Sequence, residues 1–127
     1  MQKKECFFVY FCGLDFLCAG VDNVCMQKYF DAHCHLQNAS RVADVMARAA
    51  DAGVCGAICN GTTPADWADV LCIARNVPGV YSAIGVHPWY VQNTVSDWAT
   101  RMREILTDCP DIMVGEIGLD KYRPAPE

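Results

Sequence analysis

Apolar and polar positions alternate between two periods along most of the chain. Tyr29-Phe30-Asp31-Ala32-His33 is a short apolar run that turns polar, the mark of a strand running into a loop. Val42, Val45, Met46, Ala49 and Ala50 then recur at i, i+3, i+4, i+7 and i+8. That spacing predicts an amphipathic helix, with Asn38 or Ser40 as N-cap and Gly53 as stop. Val54 to Cys59 reads as a second strand, turned by Asn60-Gly61. Thr63-Pro64 predicts the next helix start, with Asp66 three residues after the cap and Trp67, Val70, Leu71 and Ala74 as the apolar face. Pro78-Gly79 ends it, and Val80 to Val86 is a third strand, closed by His87-Pro88. Trp98, Met102, Ile105 and Leu106 mark a third helix, begun near Ser96 and finished by Pro110, before a fourth strand from Ile112 to Gly115 that ends at Glu116.

The order β-α-β-α-β-α-β predicts a parallel sheet with right-handed crossovers. Polar residues close the strands at His33, Asn60, His87 and Glu116, spaced 27, 27 and 29 residues apart. A (β/α)₈ barrel of about 250 residues allots roughly 31 to each unit and keeps its chemistry at the C-terminal ends of its strands. The expected fold class is therefore α/β, about four βα units that form the first half of a (β/α)₈ TIM-type barrel.

Composition narrows the function. With 53% hydrophobic and 20% charged residues, the chain is expected to fold. A net charge of −5 argues against a broad basic surface for nucleic acid, although a nucleic-acid enzyme can draw its positive charge from bound metal. The nine cysteines are odd in number and form no C-x-x-C pair, so they read as small buried hydrophobes in a reducing cytosol, and a cytoplasmic location is expected. Residues 1–25 differ from the rest. Lys3 and Lys4 precede a Phe- and Cys-rich run that resembles a signal peptide, but Asp15 interrupts it, and the unbroken part is too short to span a bilayer. Met26 offers a second plausible start. The expectation is a 1–25 extension, a start-site artefact or poor signal-like segment, ahead of a half-barrel over 26–127, with no membrane partner.

Two of the three histidines, His33 and His35, sit two residues apart. On extended backbone such residues face the same way, so both imidazoles can reach one ion, with Cys34 directed elsewhere and Asp31 able to orient a ring from behind. The plain alternative is a pair of polar loop residues. Glu116 closes an apolar strand between Gly115 and Ile117-Gly118, where a carboxylate can meet a metal. Two His and one Glu are a known catalytic zinc set with an open position. His87 is open to three readings: a substrate or phosphate contact, a third imidazole ligand, or an ordinary loop histidine. Trp89 and Tyr90 sit where a base or sugar can stack, or where a rim simply packs. Asp120 can order the loop after Glu116, and Arg123 in that loop, beside Tyr122, can meet a phosphate.

Three segments, Phe30-Asp31-Ala32-His33-Cys34-His35-Leu36, Gly85-Val86-His87-Pro88 and Gly115-Glu116-Ile117-Gly118-Leu119-Asp120, resemble the signatures of the first half of TatD-family hydrolases. The resemblance covers Lys28 to Glu127. It implies a metal-dependent (β/α)₈ barrel, a DNase or exonuclease acting on phosphodiester bonds, with nucleic acid as substrate. It implies one divalent ion on His33 and His35, Glu116 as a bridge between two ions, and His87 near the substrate rather than on metal. The ion can be Mg, Mn or Zn. The family's further ligands, two histidines and an aspartate, lie in a second half that this sequence does not contain. Alternatives are an amidohydrolase on the same fold, or an inactive truncated product or half-barrel that assembles with another chain.

An unclosed barrel sets a structural expectation. Four parallel strands should lie in sequence order with helices on one side. The first and fourth strands should lack outer neighbours, and inward side chains such as Ile58, Ile84 and Val114 should be partly uncovered. Self-association through that open face follows.

Overall fold

The computed structural model describes residues 9–10 and 28–121. Five strands form one sheet in the order β1-β2-β3-β4-β5. They are β1 (Val9–Tyr10), β2 (Tyr29–Cys34), β3 (Val54–Asn60), β4 (Val80–Ile84) and β5 (Met113–Val114). The last four pair in parallel, and α1 (Val42–Asp51), α2 (Trp67–Asn76) and α3 (Trp98–Asp108) connect them. The β/α alternation and the parallel sheet match the sequence reading, and four βα-type strands correspond to half of an eight-stranded barrel.

The first strand of that half-barrel does not lack an outer neighbour. β1 pairs antiparallel with β2, placing Val9 opposite Asp31 and Tyr10 opposite Phe30. The remainder of the expected 1–25 extension lies outside the described residues.

All three helices pack on one face of the sheet, and two apolar clusters fill the space between. Leu36, Cys59, Val70 and Val80 form one, with Val42, Val45 and Met46 of α1 laid against it. Trp67, Ile84, Val86 and Met102 form the other, joined by Trp98, Ile105 and Leu106 of α3. The apolar stripes read from the helical period are the stripes that pack. Ile84, however, is fully buried on the helix side instead of standing on the open face. Register explains the difference: Asn60 stands opposite Ala83, and Ala83 opposite Met113, so those residues share the other face and Ile84 turns toward α2 and α3. On the face away from the helices, Ile58 is half-buried, and Tyr81 and Met113 are exposed. Val114, on the edge strand, is 56% exposed.

Helix starts differ from the sequence reading by a few residues. After His35 the chain makes a 3-10 turn, Leu36–Asn38, that buries Leu36, and α1 begins only after Arg41. Thr63-Pro64 opens a turn one step before α2. The Asp66 carboxylate reaches back to accept the backbone N–H groups of Thr62 (3.0 Å) and Thr63 (3.2 Å), satisfying donors that would otherwise be orphaned ahead of the helix. Gly53, at φ +92°, stops α1 as its sequence position predicts, since only glycine takes that conformation without strain. Among the described residues no helix is long and apolar enough to cross a membrane.

Candidate metal centre

The C-terminal ends of β2, β4 and β5 deliver three histidines and one carboxylate to a single point. The Nε2 atoms of His33 and His35 stand 3.3 Å apart. Glu116 Oε1 lies 3.7 Å from His33 Nε2 and Oε2 lies 3.8 Å from His35 Nε2. Among the described residues, His33, His35 and Glu116 form a group whose candidate donor atoms all fall within 4.8 Å of one another. Two nitrogens about 2.1 Å from one ion, at angles between octahedral and tetrahedral, stand about 3.0–3.4 Å apart. The observed histidine pair has that separation, and two uncharged ring nitrogens at this range otherwise have at most one shared proton between them.

The carboxylate provides a second test of fit. Glu116 Oε2 is buried and has no hydrogen-bond partner. A buried carboxylate oxygen without a donor costs free energy, roughly 1–3 kcal/mol or more for a charged group, and a cation beside it removes that cost. The residues present therefore suit a divalent ion.

Backbone architecture explains why Glu116 sits there. A Cβ on Gly85 would meet the Glu116 backbone, 2.9 Å from its carbonyl carbon and 2.9 Å from its nitrogen. Only a residue without a side chain lets the chain after β5 cross the end of β4 this closely. Gly115 does the same one step earlier: a Cβ there would stand 3.1 Å from both Ala83 Cβ and Asn60 Oδ1. The Gly115 amide then donates to the Ile84 carbonyl at 2.7 Å, extending the ladder to the threshold of the site.

Behind the histidine pair and Glu116 lies a polar layer. His35 Nδ1 stands 2.9 Å from the Asn60 backbone carbonyl. A carbonyl only accepts, so Nδ1 carries the proton and Nε2 presents its lone pair toward His33 and Glu116. The same Asn60 carbonyl accepts from Gln37 Nε2 at 2.8 Å, and Gln37 Oε1 accepts from the Cys59 thiol at 3.2 Å. Gln37 is a supporting residue that the sequence reading passed over. Its position two residues beyond His35, polar in a turn that also buries Leu36, was the available signal. Asp31, expected behind a ring, instead accepts the backbone N–H of His33 at 3.1 Å, fixing the strand end. Cys34 points away from the site, into the α1-side cluster, and its thiol donates to the Ile58 carbonyl at 3.2 Å. Burial first, then the nearby Asp31 charge, pushes the Cys34 thiol up to about 12, and burial pushes Cys59 up as well. Both stay protonated and inert at neutral pH.

His87 comes to the same point from the end of β4, with Nε2 3.6 Å from Glu116 Oε1. Its ring contacts Trp89 edge-on at 5.3 Å and Tyr90 at 5.6 Å, and both of those rings are exposed. Trp89 Nε1 donates to Asp120 Oδ2 at 2.8 Å, tying the loop after β4 to the loop after β5. Asp120 thus orders that loop, as its sequence position suggests. Arg123 and Tyr122 lie outside the described residues. Ala32, His33, Ile58, Asn60, Ala83 and Glu116 help to line an open groove of about 190 Å³ on the helix-free face. A wider concavity of about 730 Å³ runs along the start of α1. Arg41 and Asp44 on its wall pair with each other at 2.7 Å, Arg48 also lines it, and neither the converging histidines nor Glu116 reaches it.

Residues 30–127 match the family described as TatD related DNase. An uncharacterized metal-dependent hydrolase, YjjV of Escherichia coli strain K12, is 32% identical over 105 residues, which are 79% of this chain and 40% of that protein. A protein of Salmonella typhimurium strain LT2 named 3'-5' ssDNA/RNA exonuclease TatD is 36% identical over 84 residues, 63% of this chain and 31% of its own. Among solved structures, that of the YjjV TatD homolog of Escherichia coli K12 superposes with a TM-score of 0.66 at 33% identity, covering 74% of this chain and 38% of that one. The chain spans 40% or less of the length of these relatives.

Proposed function

The chain belongs to the TatD related DNase family, and from that premise we propose that it carries the metal-binding half of a hydrolase that cleaves phosphodiester bonds in nucleic acid. One observation carries the reading: the buried, unpartnered Glu116 Oε2 faces a histidine pair whose spacing suits adjacent ligands on one ion. His33, His35 and Glu116 hold the metal. Bound by these residues, a divalent ion would supply Lewis-acid activation of water and charge neutralisation at a phosphate oxygen. The chain's own residues do the rest. Asn60 and Gln37 hold His35 in its ligating tautomer, Gly85 and Gly115 admit Glu116, and His87 meets the phosphate, with Arg123 assigned to the same anion from the following loop. The name of the Salmonella typhimurium relative supports single-stranded DNA or RNA as the substrate class. The exposed Tyr81 and Met113 on the helix-free face support a further element, that this face is covered by association.

Family resemblance assigns the remaining ligands to a second half, so the 127-residue chain is expected to bind one divalent ion weakly and to cleave DNA no faster than a metal-stripped control. Calorimetric titration with zinc and with manganese, on the wild-type chain and on His33→Ala, checks this. Two tight sites, or binding unchanged in the variant, would sink the metal assignment. Turnover on the order of 1–10³ per second on single-stranded DNA would sink the claim that the site is incomplete.

A further inference from the structure

The strand ends carry an aromatic surface beside the charged one. Trp89 and Tyr90 follow His87-Pro88 directly, and they are 45% and 44% exposed. The polar edge of Trp89 is already satisfied, because its Nε1–H donates to Asp120 Oδ2 at 2.8 Å. With that donor spent, the indole offers a ligand its ring face, and a ring face takes a flat partner in offset or edge-on contact.

Both residues are fixed before any ligand arrives. The Trp89 amide donates to His87 Nδ1 at 3.0 Å, and the Tyr90 amide donates to the His87 carbonyl at 2.9 Å. The Tyr90 carbonyl accepts from the Asn93 amide at 3.0 Å and from Thr94 Oγ1 at 2.8 Å, closing the 3-10 turn Val91–Asn93. Asp120 reaches Trp89 from the loop after β5, in which Gly118 takes φ +129°, a conformation that L side chains rarely adopt. A carboxylate repels a phosphate, so Asp120 serves the indole and not the anion.

We infer that Trp89 and Tyr90 form a stacking subsite for one unpaired nucleobase, and that Asp120 is its positioning residue. The inference rests on the nucleic-acid reading of the site for the identity of the flat ligand. The ring centroids of Trp89 and Tyr90 lie 5.3 and 5.6 Å from that of His87. A nucleotide whose phosphate reaches the strand ends therefore sets its base, one sugar away, at these rings. Stacking of this kind tolerates any sequence, because every base has a π-face. A base inside a duplex already has both faces covered by its neighbours, so the subsite takes a single strand. It draws affinity from ring faces and not from basic side chains, which suits a chain of net charge −5.

The test uses the 127-residue chain with zinc and two labelled strands, a short oligothymidylate and an abasic strand of the same length, followed by fluorescence anisotropy. The oligothymidylate should bind about 5–100-fold more tightly than the abasic strand. It should also quench tryptophan emission, and Trp89→Phe should remove that quenching, since Trp67 and Trp98 belong to the helix-side cluster. Trp89→Ala should abolish the preference for the base-bearing strand. Asp120→Ala should reduce that preference about threefold or more, whereas Asp120→Asn, which keeps an acceptor oxygen, should stay within about twofold of wild type. Equal affinity of the wild-type chain for the two strands overturns the subsite and leaves the nuclease reading standing. That comparison needs no variant, so it decides even where a substitution prevents folding. A loss in Asp120→Asn as large as that in Asp120→Ala overturns the positioning role. If neither strand binds while free adenosine still quenches Trp89, the subsite stands and the nuclease reading falls; no response to either strand or to adenosine overturns both.

Discussion

The two faces of the sheet are built from similar residues and meet opposite fates. On the helix side, Cys59, Val70 and Ile84 are fully buried, and Trp67 is 2% exposed with its indole N–H donating to the Gly85 carbonyl at 2.9 Å. On the other side, Tyr81 is 54% exposed although it meets the Phe30 ring at 5.9 Å. The difference teaches where stability and chemistry separate. One face supplies the free energy of folding. The other, with the strand ends above it, carries the groove and the candidate metal-binding residues.

Substitution of matched aromatics gives the sharpest contrast. Trp67→Ala removes the anchor of the α2–α3 cluster and its hydrogen bond to the strand that carries Gly85, and it is expected to cost about 3–5 kcal/mol. Tyr81→Ala is expected to cost about 1 kcal/mol or less and to reduce self-association seen by sedimentation velocity. Urea unfolding of the two variants checks the first difference; equal losses would mean that the open face is covered by the chain's own fold.

Gly85→Ala acts where the two faces meet. The added methyl group collides with the Glu116 backbone, so the expected cost is about 1–3 kcal/mol in stability together with a zinc affinity lowered tenfold or more. Wild-type zinc binding in a folded Gly85→Ala chain would show that Glu116 does not need this crossing.

The smallest effect is expected at the thiols. Cys34 and Cys59 face the helix-side cluster, whereas Cys55 and Cys72 are exposed. Alkylation at pH 8 followed by mass spectrometry should label the exposed pair first. Cys34, partly buried, and Cys59, buried, also predict a pH response. The ordinary thiol value is 9.0, and in the folded chain Cys34 is raised to about 12. Above pH 9 the unfolded chain loses its thiol protons first, so stability falls as pH rises from 9 toward 12 and is independent of these thiols below 9. A thiol contribution that stays flat across that window would place the thiols in water.

The helical stripes and strand ends were legible because each has a period and a terminus in the sequence. Trp98, Met102, Ile105 and Leu106 could pack only as they do once the helix forms. His33, His35, His87 and Glu116 were legible as strand-end polar residues, and their convergence followed from parallel strands ending at one level. The facing of Ile84 was not. β4 is apolar or small at nearly every position, and no alternation within it says which side is which; the pairing of Ala83 with Asn60 and Met113 decides. The supporting part played by Gln37 was hidden for a related reason. Its partners, the Asn60 carbonyl and the Cys59 thiol, lie on another strand, and a backbone carbonyl leaves no trace in a sequence.

The antiparallel pairing of Val9–Tyr10 on the outer side of β2 has a kinetic consequence. A row of amides and carbonyls can belong to one ladder at a time, and a parallel barrel closes by adding a parallel strand along this same row. Residues 9–10 are synthesised before β2 itself, and they need no partner chain to reach it. Any strand that completes the barrel, whatever its source, therefore arrives at an occupied seat and must evict a local competitor, so closure becomes an exchange reaction whose rate the first residues of the chain set.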